Sequence, residues 1–425
     1  MLTSLSGRKL NNFVLRSKLK ILVVSQYFWP EFLCLNELVA DLVKDGHEVV
    51  VLTGEPNYPT GIIFDDYKKE PKKFSNYYGA EIIRSKLRPR KNGSFNLILN
   101  YFSFLIYSCF TVWNKLSNRK FDIVFVFQSS PVTVAIPALF YKRISGTKVV
   151  LWVQDLWPET LSAVGVVKNK YALGLVGTLV SLIYKYCDLI LCQSVSFIDN
   201  IEKYNKTNTP VEYFPNWADD VFSQSSVDLI PSYERKEGFF DVLFAGNIGE
   251  AQDFPSILNA AELLKNLNIR IIIVGDGRLT NWLKNEIHMR ELSHTVILLG
   301  RFPIERMPSF FAQADVLLVS LAKKKIFSMT IPSKVQSYLA AGKPIVAMLD
   351  GIGAKVLNDA GCGITNASGE FDKLAASIIL LSELERHELI TMGDAGIKYY
   401  QENFNKDLLR SKLVDFFRFC ISNNS

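Results

Sequence analysis

The sequence predicts an α/β protein made of two doubly wound parallel sheets in series. At 425 residues the chain exceeds the ~250–300 at which a single core stops growing, so two domains are expected. Short β-branched runs recur along it with helix-length segments between them. The runs are continuous rather than alternating, as strands buried on both faces require, and connections of that length suit parallel crossovers.

In chain order, the first-half strands are predicted from Lys20, His47, Ala80, Phe121, Lys148 and Cys187. Those of the second half start at Phe240, Ile269, Thr295, Ala314 and Lys343. Pro215 to Gly238 is polar and rich in turn residues, and reads as a linker. The expected plan is a basic extension over 1–19, a first domain over 20–214, the linker over 215–238, a second domain over 239–400 and a final helix over 401–425.

Composition narrows the function. A net charge of +6, with 48% hydrophobic and 21% charged residues, suits an anionic small molecule or a membrane surface better than a nucleic acid. The six cysteines show no metal-ligand spacing and read as reduced core thiols of a cytoplasmic protein. Four histidines make a multi-histidine metal site a poor expectation. The basic N-terminus lacks the apolar core of a signal peptide. Phe95 to Trp113 is apolar but interrupted by Asn96, Asn100, Ser103 and Ser108, and it follows Arg84, Lys86, Arg88, Arg90 and Lys91. The two readings of this region are a monotopic contact with an anionic leaflet and a buried helix behind a solvated loop.

Ligands of doubly wound sheets bind at the carboxyl ends of strands. Val149 to Thr160, VVLWVQDLWPET, places Gln154 and Asp155 there, where Asp155 either faces the crevice or caps the next segment. His47 and His294 fall at the opposite strand ends and read as structural. Three second-half loops suit an anion. They contain Gly246, Asn247 and Gly249; then Gly275, Asp276, Gly277 and Arg278; then Ser333, Lys334 and Ser337. Arg278 and Lys334 are read in helical first turns, where a cation opposes the helix dipole unless an anion neutralises it. Arg301, after the third strand, is a further candidate cation, and Lys323 to Lys325 could contribute.

The motifs YFWPE, GEPNYPTG, QDLWPET, PNWAD, AGNIGEAQ, GDG and SKVQSYLAAGKPI together resemble retaining glycosyltransferase family 4, from about Lys20 to about Ala354. The WbuB-type L-fucosamine transferases of bacterial O-antigen and capsule synthesis are the most similar group. The resemblance implies a GT-B fold: two Rossmann-like domains facing a central cleft, the first binding acceptor and the second a nucleotide sugar. It also implies a final helix crossing back to the first domain, and no metal or other cofactor; no Asp-x-Asp pair occurs. The implied reaction moves N-acetyl-L-fucosamine, or a related amino-deoxyhexose, from a UDP-sugar to a lipid-linked (undecaprenyl-diphosphate) saccharide. It proceeds with retention on a peripheral enzyme at the inner face of the cytoplasmic membrane.

Catalysis is then expected from Asp155 and Lys334. Donor binding falls to the three loops with Arg301, and acceptor binding to Glu31, Asn36, Asn57, Tyr58 and Gln154. The sequence departs from the family pattern at Met329 and Ser337, where glutamates are usual, and at Asn247 and Gln252, where cations are usual. Gln154 stands for a common histidine, and Phe32 to Leu35 replace a glycine pair. A sugar-nucleotide 2-epimerase and a catalytically inactive nucleotide-sugar-binding scaffold stay open as rivals.

Overall fold

The computed structural model describes residues 18–58, 61–90, 94–163, 167, 169–222 and 233–422. Most of the basic extension, Lys91 and the central part of the linker stretch, 223–232, therefore lie outside the described residues. The chain divides into two compact units. Unit 1 takes residues up to Gln193, Ile198–Phe214 and everything from Leu409; unit 2 takes Ser194–Phe197 and Pro215–Leu408.

Unit 1 contains β1 (Lys20–Val24), α1 (Cys34–Lys44), β2 (Glu48–Gly54), α2 (Asp65–Lys69), β3 (Asn76–Tyr77), β4 (Ala80–Ser85) and α3 (Ser94–Thr111). It continues with β5 (Ile123–Gln128), α4 (Ala135–Ser145), β6 (Lys148–Val153), α5 (Glu159–Ala163), α6 (Lys170–Tyr186), β7 (Leu189–Cys192), α7 (Ile198–Tyr204) and β8 (Val211–Tyr213). The strands lie in the order β3-β4-β2-β1-β5-β6-β7-β8, all parallel except β3. Ile21 to Val24 and Ile123 to Val126 are fully buried, as the continuous apolar runs require.

The strand order fixes the helix layers. Parallel crossovers are right-handed, so connections stepping in opposite directions along the sheet lie on opposite faces. α1 steps from β1 to β2, whereas α3, α4, α6 and α7 all step the other way. α4 accordingly packs against both α3 and α6.

Unit 2 contains β9 (Phe240–Ala245), α8 (Phe254–Leu264), β10 (Ile269–Val274), α9 (Thr280–Met289), β11 (Val296–Gly300), α10 (Met307–Gln313) and β12 (Val316–Ser320). Then come α11 (Lys325–Ser328), α12 (Ser333–Ala341), β13 (Ile345–Met348), α13 (Ile352–Ala360), β14 (Gly363–Asn366), α14 (Phe371–Glu383), α15 (Arg386–Asn403) and α16 (Lys406–Ser422). Its parallel order is β11-β10-β9-β12-β13-β14, with apolar cores on both faces. From Leu409 onward α16 packs in unit 1. There Arg410 pairs with Asp45 at 2.7 Å, on the α1 side, and Phe417 meets Phe125 with ring centroids 5.4 Å apart.

Both parallel sheets are thus of the doubly wound type. The six cysteines form no disulfide, and four of them are buried. His47 is structural: its Nδ1 accepts from the Leu19 amide at 3.0 Å, and burial lowers its pKa.

Candidate functional site

In unit 2, two neighbouring strands end in glycines held at φ +144° (Gly246) and +146° (Gly275). A Cβ on Gly275 would sit 1.8 Å from the Gly246 carbonyl oxygen, and one on Gly277 2.3 Å from the Ile248 oxygen. Only bare backbone lets the loops after β9 and β10 close on each other. Gly275→Ala is therefore expected to cost about 1–3 kcal/mol from the backbone angle alone, and more from the clash. A fall in melting temperature with loss of nucleotide binding checks this.

Lys334 reaches this floor from the first turn of α12. A Cβ on Gly246 would lie 2.5 Å from its Cε, so the glycine also makes room for the lysine stem. The Lys334 ammonium donates to Gln252 Oε1 at 2.6 Å and stands 4.3 Å from the centroid of the Phe244 ring. Neither partner is an anion, and desolvation brings its pKa down to about 7. α12 begins after Pro332 with no side-chain cap, so its first amides share this end of the helix with the cation. Gln252 is neutral, so it receives the Lys334 ammonium without repelling it, as a second positive charge there would. Tyr338, on the same helix, accepts from the Ala245 amide at 3.0 Å and ties α12 to the end of β9.

The other expected donor residues surround this floor unevenly. Asn247 is exposed, yet its amide crosses Gly249 and Gly277 closely enough to meet a Cβ on either. Asp276 is turned inward on its own loop. It accepts from the Gly277 amide and the Thr280 hydroxyl, both at 2.7 Å, and these bonds hold its carboxyl below the ordinary range. That turn delays α9 to Thr280, so Arg278 precedes the helix instead of standing in its first turn. The dipole argument thus survives for Lys334 and fails for Arg278. Arg278 and Arg301 are exposed, Ser333 opens α12 and Ser337 is half-buried one turn on.

In unit 1, two residues expected at the acceptor instead build the loops. Glu31 is 2% exposed; one oxygen accepts from the Phe28 amide, and the other accepts from the Asn57 and Tyr58 amides at 2.8 and 2.7 Å. Burial raises its pKa while those amides oppose the shift. Asn36 is likewise folded back, donating to the Glu31 carbonyl and accepting from the Trp29 amide. A buried carboxylate beside three loop amides satisfies donors that the turns leave unpaired, so both residues position the loops. Arg84 is a second correction. Expected in a basic surface segment, it is instead drawn in to donate to the Gly54 and Trp29 carbonyls, and desolvation lowers its pKa to about 10.

The residues left at the carboxyl ends are largely aromatic. Tyr58 is 40% exposed and its ring meets that of Tyr27 at 5.1 Å, while Asn57 Oδ1 is buried without a hydrogen bond. Tyr101 of α3 approaches the Trp157 ring at 6.1 Å and the Ser130 hydroxyl at 3.5 Å. The Arg90 charge acts on both Tyr27 and Tyr101. The Gln154 carbonyl accepts from the Gln193 amide side chain at 2.7 Å, which holds the end of β6 to the end of β7.

Asp155 Oδ1 accepts from the Thr160 hydroxyl at 2.5 Å, so the capping role is present. Desolvation nonetheless raises its pKa, against hydrogen bonds from Thr160 and the Leu156 amide that lower it. A carboxylate poised above its ordinary range beside aromatic rings is the equipment for taking or sharing a hydroxyl proton. Tyr27, Trp157, Tyr101 and Arg90 are not among the residues that the sequence offers for the acceptor. The first two stand inside the YFWPE and QDLWPET motifs, but Tyr101 lies in an apolar run that reads as one uniform helix. Among the described residues, no group of three His, Cys, Asp or Glu side chains could hold a metal ion.

Residues 34–222 match the family described as Glycosyltransferase Family 4, and residues 228–396 match Glycosyl transferases group 1. The chain is 28% identical over 340 residues to WbjE of Pseudomonas aeruginosa, named as a glycosyltransferase, covering 77% of this chain and 82% of that one. It is 23% identical over 350 residues to WcaI of Escherichia coli K12, named for colanic acid biosynthesis, with 76% and 82% covered. Among solved structures, Anabaena Alr3699/HepE in complex with UDP and glucose superposes with a TM-score of 0.67 at 16% identity, covering 94% of this chain and 99% of that one. The lipopolysaccharide outer core galactosyltransferase WaaB superposes at 0.61 with 13% identity and the same coverage.

Proposed function

Because the chain is a GT-B glycosyltransferase whose halves carry the family 4 and group 1 domains, we propose that it moves one sugar from a UDP-sugar to a lipid-linked saccharide, with retention. The sugar is an amino-deoxyhexose of the N-acetyl-L-fucosamine kind, added during bacterial O-antigen or capsule synthesis at the inner face of the cytoplasmic membrane. One observation carries the reading: Lys334 is a half-buried cation with no anionic partner, on the glycine floor where two strands end. Such a group stabilises negative charge that develops elsewhere. UDP bound to HepE, a relative in fold, supports a nucleoside diphosphate as the ligand. The names of WcaI and WaaB support a surface polysaccharide as the product's destination.

The roles follow from the side chains. As the sugar–phosphate bond breaks, the leaving diphosphate gains charge, and Lys334 with the first amides of α12 offsets it. In the retaining route the acceptor hydroxyl attacks the face that the nucleotide leaves, and its proton passes to the departing phosphate. No covalent enzyme nucleophile is then needed. Asp155 orients that hydroxyl by accepting its hydrogen bond, and Tyr58 and Tyr101 offer rings and hydroxyls to the acceptor saccharide.

Release of UDP from UDP-activated amino-deoxyhexoses, measured with a lipid-linked acceptor extract present, tests the proposal. Acceptor-dependent release by the wild type and not by Asp155→Asn is expected. A wild type that binds UDP yet never turns over a UDP-sugar with any acceptor would contradict it.

A further inference from the structure

Among the described residues, unit 1 has an exposed apolar face that no catalytic role uses. On α3 and the π-helical turn that extends it over Val112–Leu116, one stripe is exposed: Ile98, Phe102, Ile106, Phe110 and Trp113. The opposite side, through Asn100, Phe104, Ser108 and Val112, is fully buried against the unit. The stretch Asn96–Leu116 is long and apolar enough to cross a membrane, with a mean hydropathy of 1.3. A helix packed along one whole side on a sheet cannot also be surrounded by lipid, so spanning is excluded and lying on a surface is not.

The stripe does not end with α3. The right-handed crossovers place α4 and α6 in the same layer, and α6 exposes Tyr171 and Leu175, each 74% accessible, with Leu182 and Tyr186 further along. Lys170 lies over the Tyr171 ring and Lys185 over that of Tyr186, pairing cation with aromatic at both ends of the helix. Such pairs suit the interface between headgroups and hydrocarbon.

Charge identifies the partner. α3, its π-helical extension, α4 and α6 contain no Asp or Glu. They expose Lys115, Arg143, Lys170 and Lys185, and Lys86 and Arg88 are exposed just ahead of α3. On the opposite face, α1 carries Glu37 and Asp41. α7, at the far edge of the layer, does carry the exposed acids Asp199 and Glu202, but the apolar, aromatic part built by α3, α4 and α6 is ringed by cations and complementary to an anionic bilayer.

We propose that the α3–α4–α6 layer of unit 1 seats the protein on an anionic membrane surface, with α6 as much a part of the seat as α3. The proposal rests on the lipid-linked acceptor only for its purpose. Tyr101, on the flank of α3, reaches Trp157 beside Asp155, so the helix that meets lipid also lines the acceptor crevice.

The full-length protein is sedimented with vesicles of phosphatidylglycerol or of phosphatidylcholine. Binding to phosphatidylglycerol alone is expected, weakening as salt screens it. Leu175→Asp with Leu182→Asp should reduce the partition coefficient on the order of tenfold per residue, as should Phe102→Asp with Phe110→Asp. Circular dichroism melts establish that each variant is folded. Equal binding to both lipids, or an α6 variant that sediments like the wild type, overturns the proposal. So does a soluble dimer, seen by light scattering, that the same substitutions dissociate while vesicle binding is absent. UDP release with a short-chain, water-soluble acceptor separates this proposal from the proposed function. Variants that lose vesicles but keep that turnover support both. A wild type that binds vesicles through this layer but turns over no acceptor sinks the transferase reading and leaves the membrane seat standing.

Discussion

Asp155→Asn lowers the transfer rate by about 10²–10⁴-fold, the range of a carboxylate positioned on the reacting hydroxyl, while UDP affinity is unchanged. The variant is a clean probe because an amide oxygen still accepts the Thr160 hydroxyl, so the capping bond at 2.5 Å survives and only the negative charge is removed. The pH profile adds an independent reading. The carboxyl must be ionised to accept the acceptor hydroxyl's hydrogen bond at full strength, so activity falls as pH drops through its pKa. Desolvation places that acid limb above the range of an ordinary Asp. Thr160→Ala removes a hydrogen bond that lowers the pKa, so the limb moves to still higher pH. An Asn variant as active as the wild type would leave Asp155 with its capping role alone.

Lys334→Met weakens UDP binding by roughly 10- to 150-fold, the equivalent of the 1.5–3 kcal/mol of a charge-assisted hydrogen bond, without lowering the melting temperature of the ligand-free protein. The second half of that expectation separates function from structure. A structural lysine would be paired, and its loss would destabilise; here, among the described residues, the hydrogen-bond partner is the neutral amide of Gln252. The ligand-free protein should also gain stability as pH rises from about 7 towards the ordinary lysine range. The sign follows from linkage: in that window the unfolded chain still holds the proton that the folded chain has released. With the lysine gone, that dependence goes too. A destabilised Met variant that binds UDP normally would assign Lys334 to the fold.

The fold was legible because its signal is repeated. Each strand predicted from a continuous apolar run is present, often starting a residue or two later, since the leading polar residue belongs to the preceding turn. The strands not read were β3, β8 and β14, whose sequences NY, VEY and GITN are too short or too polar to stand out. The unit 2 floor was legible for the same reason that it works: glycines and a misplaced cation break local rules where something else requires it. In unit 1 the sequence located the loops but not the direction of their side chains. Glu31 and Asn57 are both polar residues after a strand, yet one is consumed by three backbone amides and the other keeps a buried oxygen without a hydrogen bond. Arg84 looked like a surface cation because its partners are backbone carbonyls, which leave no trace in the residue pattern.

The most direct test is proton uptake on UDP binding, measured by titration calorimetry in buffers of different ionisation enthalpy. An anion at Lys334 raises its pKa from about 7, so binding at pH 8 takes up a proton that the free protein lacks. The account predicts close to one proton more for the wild type than for Lys334→Met at pH 8, shrinking towards none at pH 6, with affinity declining as pH rises above 7. Identical proton counts for the two proteins at every pH, with comparable affinity, would mean that the diphosphate does not sit at Lys334.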